Sequence, residues 1–207
     1  MMTRRGFLAG LLAQAIQTES HLVLAIDVSG SVNEERFKVQ REGYAEAIVH
    51  PRVIESILMN RGLWLTLFEW SESQDVVVPW TFIAGQREAQ AVAQVLVGSP
   101  RKSNGSTAVG DAMLFGRHLL LGRQGRLVMD VSGDGRSNFG SPVGEAREQC
   151  ESSGITVNGL AITDLEPDLE DWYRNNVVTS DGFCTHVADR EDLAYALVNK
   201  MRLEIAG

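Results

Sequence analysis

His21-Leu-Val-Leu-Ala-Ile-Asp-Val-Ser-Gly-Ser31 is the stretch on which the reading of this chain turns. From His21 to Ile26 it is a continuous apolar run, the pattern of a strand covered on both faces and therefore of a parallel sheet with helices on either side. The run ends abruptly at Asp27, and polar oxygens then recur at every second residue. In an extended stretch alternate side chains share a side, so Asp27, Ser29 and Ser31 converge if the loop curls about one point. Gly30 makes that curl sterically cheap.

Working outward, a helix is expected from about Asn33 to His50. Asn33 is its N-cap, Glu34 and Glu35 suit the first turn, and Phe37, Tyr44, Ala45 and Ile48 share one face. Leu63 to Trp70 is apolar on both alternating faces and belongs inside the sheet. Ser71-Glu-Ser-Gln74 offers a turn into a short strand over Val76–Val78. Pro79 cannot donate to a ladder, which places that strand at an edge, and the short connection makes it antiparallel. Further helices are expected over Gln86–Val97, along the Ala108, Ala112, Phe115, Leu119 stripe, and from Ser141-Pro142, whose hydroxyl should cap, to Gly154. Two more are expected over about Pro167–Asn175 and along Leu193, Leu197, Met201 and Ile205. Strands are expected over Arg126–Val131, Ile155–Ile162 and Phe183–Ala188, and the polar linker Gly98–Ser106 should lie on the surface. This alternation predicts an α/β fold, a three-layer doubly wound (Rossmann-like) sheet, mostly parallel with one antiparallel edge strand and helices on both faces.

The composition bounds the function. The chain has 207 residues, 44% hydrophobic and 22% charged, which excludes disorder and collagen-like repeats and suits a single domain. No apolar run approaches the ~20 residues that cross a bilayer, so no integral membrane segment is expected. Nineteen Lys and Arg against 27 Asp and Glu give a formal net charge of −8, which argues against nucleic acid or an anionic membrane as partner. Cys150 and Cys184 are compatible with one disulfide or with two buried thiols. At the N-terminus, Thr3-Arg-Arg-Gly-Phe-Leu-Ala-Gly10 followed by Ala13-Gln-Ala15 resembles a twin-arginine export signal with a small-x-small cleavage pattern. Residues 1–15 are therefore expected to be a leader and 16–207 a single domain, periplasmic or secreted, or cytoplasmic if the leader does not function.

Open parallel sheets place ligand sites outside the carboxyl ends of their strands. Three polar clusters fall there: Asp27, Ser29 and Ser31; Gly105-Ser106-Thr107 at a helix entrance; and Asp134 after the strand that begins at Arg126. They offer hydroxyl and carboxylate oxygens and neither thiol nor imidazole, an inventory that suits a hard divalent cation, Mg²⁺ above all, with Mn²⁺ or Ca²⁺ as alternatives. Only Asp27 and Asp134 are anionic. An ion held by Asp27, Ser29, Ser31, Thr107 and Asp134 keeps positive charge and an exchangeable position, which favours a carboxylate from a partner.

Asp27-x-Ser29-x-Ser31, the distant Gly-Ser-Thr107 and Asp134-Gly135 together resemble the metal-ion-dependent adhesion site (MIDAS) of von Willebrand factor A (VWA) domains, and the likeness extends over about residues 21–206. The resemblance implies strand order 3-2-1-4-5-6 and a metal bound directly by Ser29, Ser31 and sometimes Thr107, with Asp27 and Asp134 acting directly or through water. More narrowly, Asp130-Val-Ser-Gly-Asp-Gly135, Ile155-Thr-Val-Asn-Gly-Leu160 and Lys200-Met-Arg-Leu-Glu-Ile205 resemble a bacterial subfamily of exported proteins of uncharacterised function. One position departs: many VWA domains carry Thr before the Asp-Gly, and here it is Gly133, a loss expected to alter the local hydrogen bonding or the backbone path while removing none of the five candidate ligands.

Two functions compete. The first is a non-enzymatic module in which Mg²⁺ bridges the domain to an acidic side chain of another protein. The second is a Mg²⁺-dependent hydrolase or phosphotransferase using the same carboxylates. No Asp-x-Asp follows the first strand, and neither G-x-x-x-x-G-K-[ST] nor G-x-S-x-G is present. Other residues have plainer readings: Asp111 as a solvated or capping carboxylate, Asn138 as a loop residue or a lining of the site, Trp70 and Trp80 as packing. The four histidines are dispersed. Asp130, a carboxylate inside an apolar strand, needs a partner or a bulge that the sequence does not name.

Overall fold

Every residue of Ser20–Asp27 is buried, and its side chains divide by parity between two cores. Leu22, Leu24 and Ile26 join one apolar cluster, while Val23 and Ala25 join the other. A computed structural model describes residues 19–206, so the export-signal reading of residues 1–15 lies outside the described residues. In chain order the elements are β1 (Ser20–Asp27), α1 (Glu34–Val49), α2 (Pro51–Met59), β2 (Leu63–Trp70), β3 (Gln74–Ile83), α3 (Gln86–Gly98), α4 (Val109–Leu120), β4 (Arg126–Gly133), α5 (Val143–Ser152), β5 (Ile155–Ile162), α6 (Leu169–Asn176), β6 (Cys184–Val187) and α7 (Leu193–Ala206).

The sheet order is β3-β2-β1-β4-β5-β6, parallel throughout except for the β2–β3 pair. Helices α1, α2, α3 and α7 cover one face and α4, α5 and α6 the other. This is the expected three-layer architecture. The chain reverses its direction of winding between β1 and β4, so the loops after these strands open side by side at the sheet's carboxyl edge.

Local chemistry explains most boundaries. Asn33 caps α1 by accepting from the Arg36 amide at 2.9 Å. His50 then ends α1 and caps α2, whose first residue is Pro51, so the single expected helix is followed by a second that the periodicity argument omitted. Val53, Ile54 and Ile57 give α2 a buried stripe. β3 runs well beyond Val76–Val78. Pro79 and Trp80 face Thr66 in a bulge, and the Thr66 hydroxyl donates to the Val78 carbonyl at 2.8 Å, so the ladder asks no amide of Pro79. Ser141 does not cap α5: Pro142 is the N-cap residue, and the Ser141 amide donates instead to Asp111 Oδ1 at 2.9 Å, which makes Asp111 the capping carboxylate of that turn. Both cysteines are free and buried, and burial pushes the Cys150 thiol up to about 12 and the Cys184 thiol up to about 11.

Asp130 finds its partner on α7. Lys200 Nζ lies 2.8 Å from Asp130 Oδ1 and also contacts Glu204 one turn on, while Asn158 Nδ2 donates to Glu204 at 3.0 Å. All three charged side chains are buried, which ties α7 to the middle of the sheet. No helix among the described residues is long and apolar enough to cross a membrane.

Candidate metal centre

The site is built by three loops at the carboxyl edge. Asp27, the last residue of β1, accepts the Ser29 amide on Oδ1 at 2.7 Å, which starts the curl, and the Val32 amide closes it on the Ser29 carbonyl at 3.0 Å. From the α3–α4 loop, the Gly105 carbonyl accepts the Gly30 amide at 2.8 Å and fixes the second loop against the first. From the loop after β4, the Asn138 and Thr107 backbones and side chains lock together: the Thr107 amide donates to Asn138 Oδ1 at 2.9 Å, and the Asn138 amide to the Thr107 carbonyl at 2.9 Å.

These bonds bring the five predicted residues together. Ser29 Oγ lies 3.3 Å from Ser31 Oγ and 3.3 Å from Thr107 Oγ1, and the Ser31 hydroxyl donates to Asp134 Oδ1. Asp27, Ser29, Thr107 and Asp134 are buried; Ser31 and Gly30 are exposed and form the mouth. The second Asp27 oxygen, Oδ2, has no hydrogen-bond partner among the described residues. Burial, followed by the neighbouring Asp134, pushes the Asp27 carboxyl up to about 7. A hard cation would relieve both effects, and a set of three hydroxyls and two carboxylates fits one. Among the described residues there is no group of three or more His, Cys, Asp or Glu, so the oxygen set depends on its hydroxyls.

Sequence reasoning missed the residues that hold these loops. Arg101, in the linker expected on the surface, turns inward: its guanidinium donates to the carbonyls of Val32 at 2.7 Å, Ser29 at 3.1 Å and Val28, and its Nε to Ser103 at 2.9 Å. Gln40 Nε2 donates to the Asp27 carbonyl at 3.1 Å. Arg36 spans the rim, with Nη1 3.4 Å from Asp134 Oδ2 and 3.2 Å from the Ser31 carbonyl, and Nη2 3.1 Å from Asp164 Oδ2. A basic residue in the first turns of α1 and an acidic one after β5 carry no local pattern that would have marked this pair. Asn138, left open as loop or lining, backs Thr107.

The six-strand order with its single antiparallel edge strand is a VWA-like fold. Solved structures agree with that fold. A von Willebrand factor type A protein from Catenulispora acidiphila superposes with a TM-score of 0.69 at 18% identity over 91% of this chain and 43% of its own. Proximal thread matrix protein 1 from the mussel byssus, with a zinc-occupied MIDAS motif, gives a TM-score of 0.66 at 13% identity over 91% of this chain and 48% of its own. An aerotolerance-related membrane protein from Bacteroides fragilis gives a TM-score of 0.60 at 15% identity, covering 89% of this chain and 99% of that one. The chain thus spans about half the length of the first two. No curated protein matches it in sequence. Over residues 17–207 the chain matches, and belongs to, the family described as Protein of unknown function (DUF1194).

Proposed function

We propose that this VWA domain is a non-enzymatic, divalent-metal-dependent protein-binding module, that Asp27, Ser29, Ser31, Thr107 and Asp134 hold Mg²⁺, and that an acidic side chain of a partner completes the site. The observation that carries the reading is the convergence of these five side chains from three loops, with one buried Asp27 oxygen left without a donor. The zinc-occupied MIDAS motif of the mussel matrix protein supports a divalent ion on this fold. Bound there, the ion supplies a positive charge that accepts a carboxylate oxygen.

The chain's own residues prepare that event. Asp27 ends β1 and Asp134 directly follows β4, so the site forms only when the two strands are paired in register, Ile26 against Ser132. Arg101 and Gln40 fix the backbone of the β1–α1 loop from behind, which holds Ser29 and Ser31 in place without occupying the mouth. Arg36 offers a second positive charge at the rim for the approach of an acidic partner. The same reading takes residues 1–15 as an export leader and 16–207 as the domain it would carry out of the cytoplasm, the domain staying cytoplasmic if the leader does not function; the Bacteroides membrane protein of similar fold is consistent with export.

Titration calorimetry with Mg²⁺ tests the reading. Wild type should bind, and Asp27→Ala and Ser29→Ala should fold and lose binding; unchanged binding in both variants would overturn it. Capture of partners from the native host by the mature domain should be lost in chelator. Phosphate release from a panel of phosphoesters, abolished by Asp27→Ala, would replace the binding module with a hydrolase.

A further inference from the structure

Gly133, at the end of β4, holds the place where many VWA domains carry a threonine. Its backbone does not require glycine, because it is not among the glycines with positive φ. Space requires it. A Cβ built there would collide with the Tyr173 hydroxyl, and would stand 2.9 Å from Asp27 Oδ2 and 3.3 Å from Trp70 Cζ2. A second glycine clears the way for the same ring: a Cβ on Gly159 of β5 would lie 3.0 Å from Tyr173 Cδ1 and 3.2 Å from Cys184 Sγ. Gly133 and Gly159 lie on neighbouring strands and face the same core, since Gly159 pairs with Val131, two residues before Gly133. They form a slot in which Tyr173, fully buried, lies across the sheet from α6 toward the end of β1.

Two polar atoms flank the gap at the end of that slot, and no hydrogen bond joins them in this conformation. Tyr173 Oη and Asp27 Oδ2 are both buried, both without a hydrogen-bond partner among the described residues, and both border the point where a side chain at 133 would begin. If packing alone were at stake, phenylalanine would serve on α6 with no buried hydroxyl to satisfy. We propose that Tyr173 is a positioning residue of the metal centre, its hydroxyl reaching through the space opened by Gly133 to donate to Asp27 Oδ2 and so hold the carboxylate toward the ligand side. The hydroxyl that the strand end has lost is thereby returned from a helix on the far side of β5. The proposal rests on the reading of Asp27 as a metal ligand, and its test separates the two.

Wild type, Tyr173→Phe, Asp27→Ala and the double variant are unfolded by heat in chelator. The two substitutions should be non-additive, the double variant melting above the temperature that independent effects would give; additivity would overturn the proposal. Mg²⁺ calorimetry on the same full-length proteins should show roughly tenfold weaker binding in Tyr173→Phe, the size expected when a ligand loses its supporting hydrogen bond. Equal Mg²⁺ affinity in wild type and Tyr173→Phe would overturn the proposal and leave the metal site standing. Wild type that binds no Mg²⁺ yet keeps the non-additivity would overturn the metal site and support the Tyr173–Asp27 bond.

Discussion

Two pairs of buried carboxylates lie at different places on the same sheet, and they are handled in opposite ways. Asp130 and Glu204 face the α1–α7 side and receive a cation from within the chain, Lys200, which touches both. Asp27 and Asp134 sit at the carboxyl edge; Arg36 reaches only Asp134, from the rim, and Asp27 is surrounded by hydroxyls and backbone. A cation built into the chain closes a site, because a covalently tethered charge cannot be exchanged. Hydroxyls around a desolvated carboxylate keep a site open, because they satisfy geometry without neutralising charge. The difference separates a structural ionic cluster from the proposed recognition site.

The largest expected effect breaks the first pair. Lys200→Met leaves Asp130 and Glu204 buried and unpaired and should cost about 3–5 kcal/mol in denaturant unfolding. Mg²⁺ should not restore it, whereas an added Asp130→Asn should recover part. A near-neutral Lys200→Met would erase the contrast between the two sites. Next comes the response to metal: at 100 times its dissociation constant, Mg²⁺ should stabilise wild type by about 2.7 kcal/mol by mass action, and Asp27→Asn by nothing, as read from melting with and without chelator.

The pH response sharpens the same contrast. Asp27 holds its proton up to about 7 in the folded chain, against an ordinary value of 3.8. The folded state therefore binds the proton more tightly than the unfolded one. Its stabilising contribution is complete below the ordinary carboxylate value and is lost as pH rises from about 4 to about 7 in chelator. Mg²⁺ affinity should climb over the same window, because the ion needs the ionised carboxylate. Glu204, also pushed up to about 7 by burial and by Asp130, has the same sign, so only the part of the slope that disappears in Asp27→Asn belongs to the metal site. The smallest effect is at the rim. Arg36→Gln should change stability by about 1 kcal/mol or less, raise Mg²⁺ affinity slightly, and weaken capture of the acidic partner in a salt-dependent manner.

Much of this was legible in the sequence because it is written locally. The β1 run and the alternation that follows predict the sheet, and Asp27, Ser29, Ser31, Thr107 and Asp134 stand at strand or helix ends where short patterns mark them. What escaped is set by contacts distant in the chain. Lys200 meets Asp130 only because α7 packs back across the sheet, and its place on that helix differs from the apolar stripe Leu193, Leu197, Met201 and Ile205. Arg101 sits among Ser, Pro, Lys and Asn, a composition that reads as solvated surface, yet its guanidinium binds three carbonyls of the β1–α1 loop. At Gly133 the sequence marks the missing side chain, but the collision with Tyr173 that a Cβ would meet there is visible only in three dimensions. Helix α2 was hidden by its shortness and by the His50 junction that serves both neighbours.

The two thiols carry a consequence for the covalent structure of the domain. Cys150 and Cys184 are buried and free, and their thiols are raised so far that almost no thiolate exists at neutral pH. Neither holds the fold together by a bridge, and burial keeps both in the thiol form, the less nucleophilic one. The described fold therefore contains no covalent cross-link whose making or breaking it depends on.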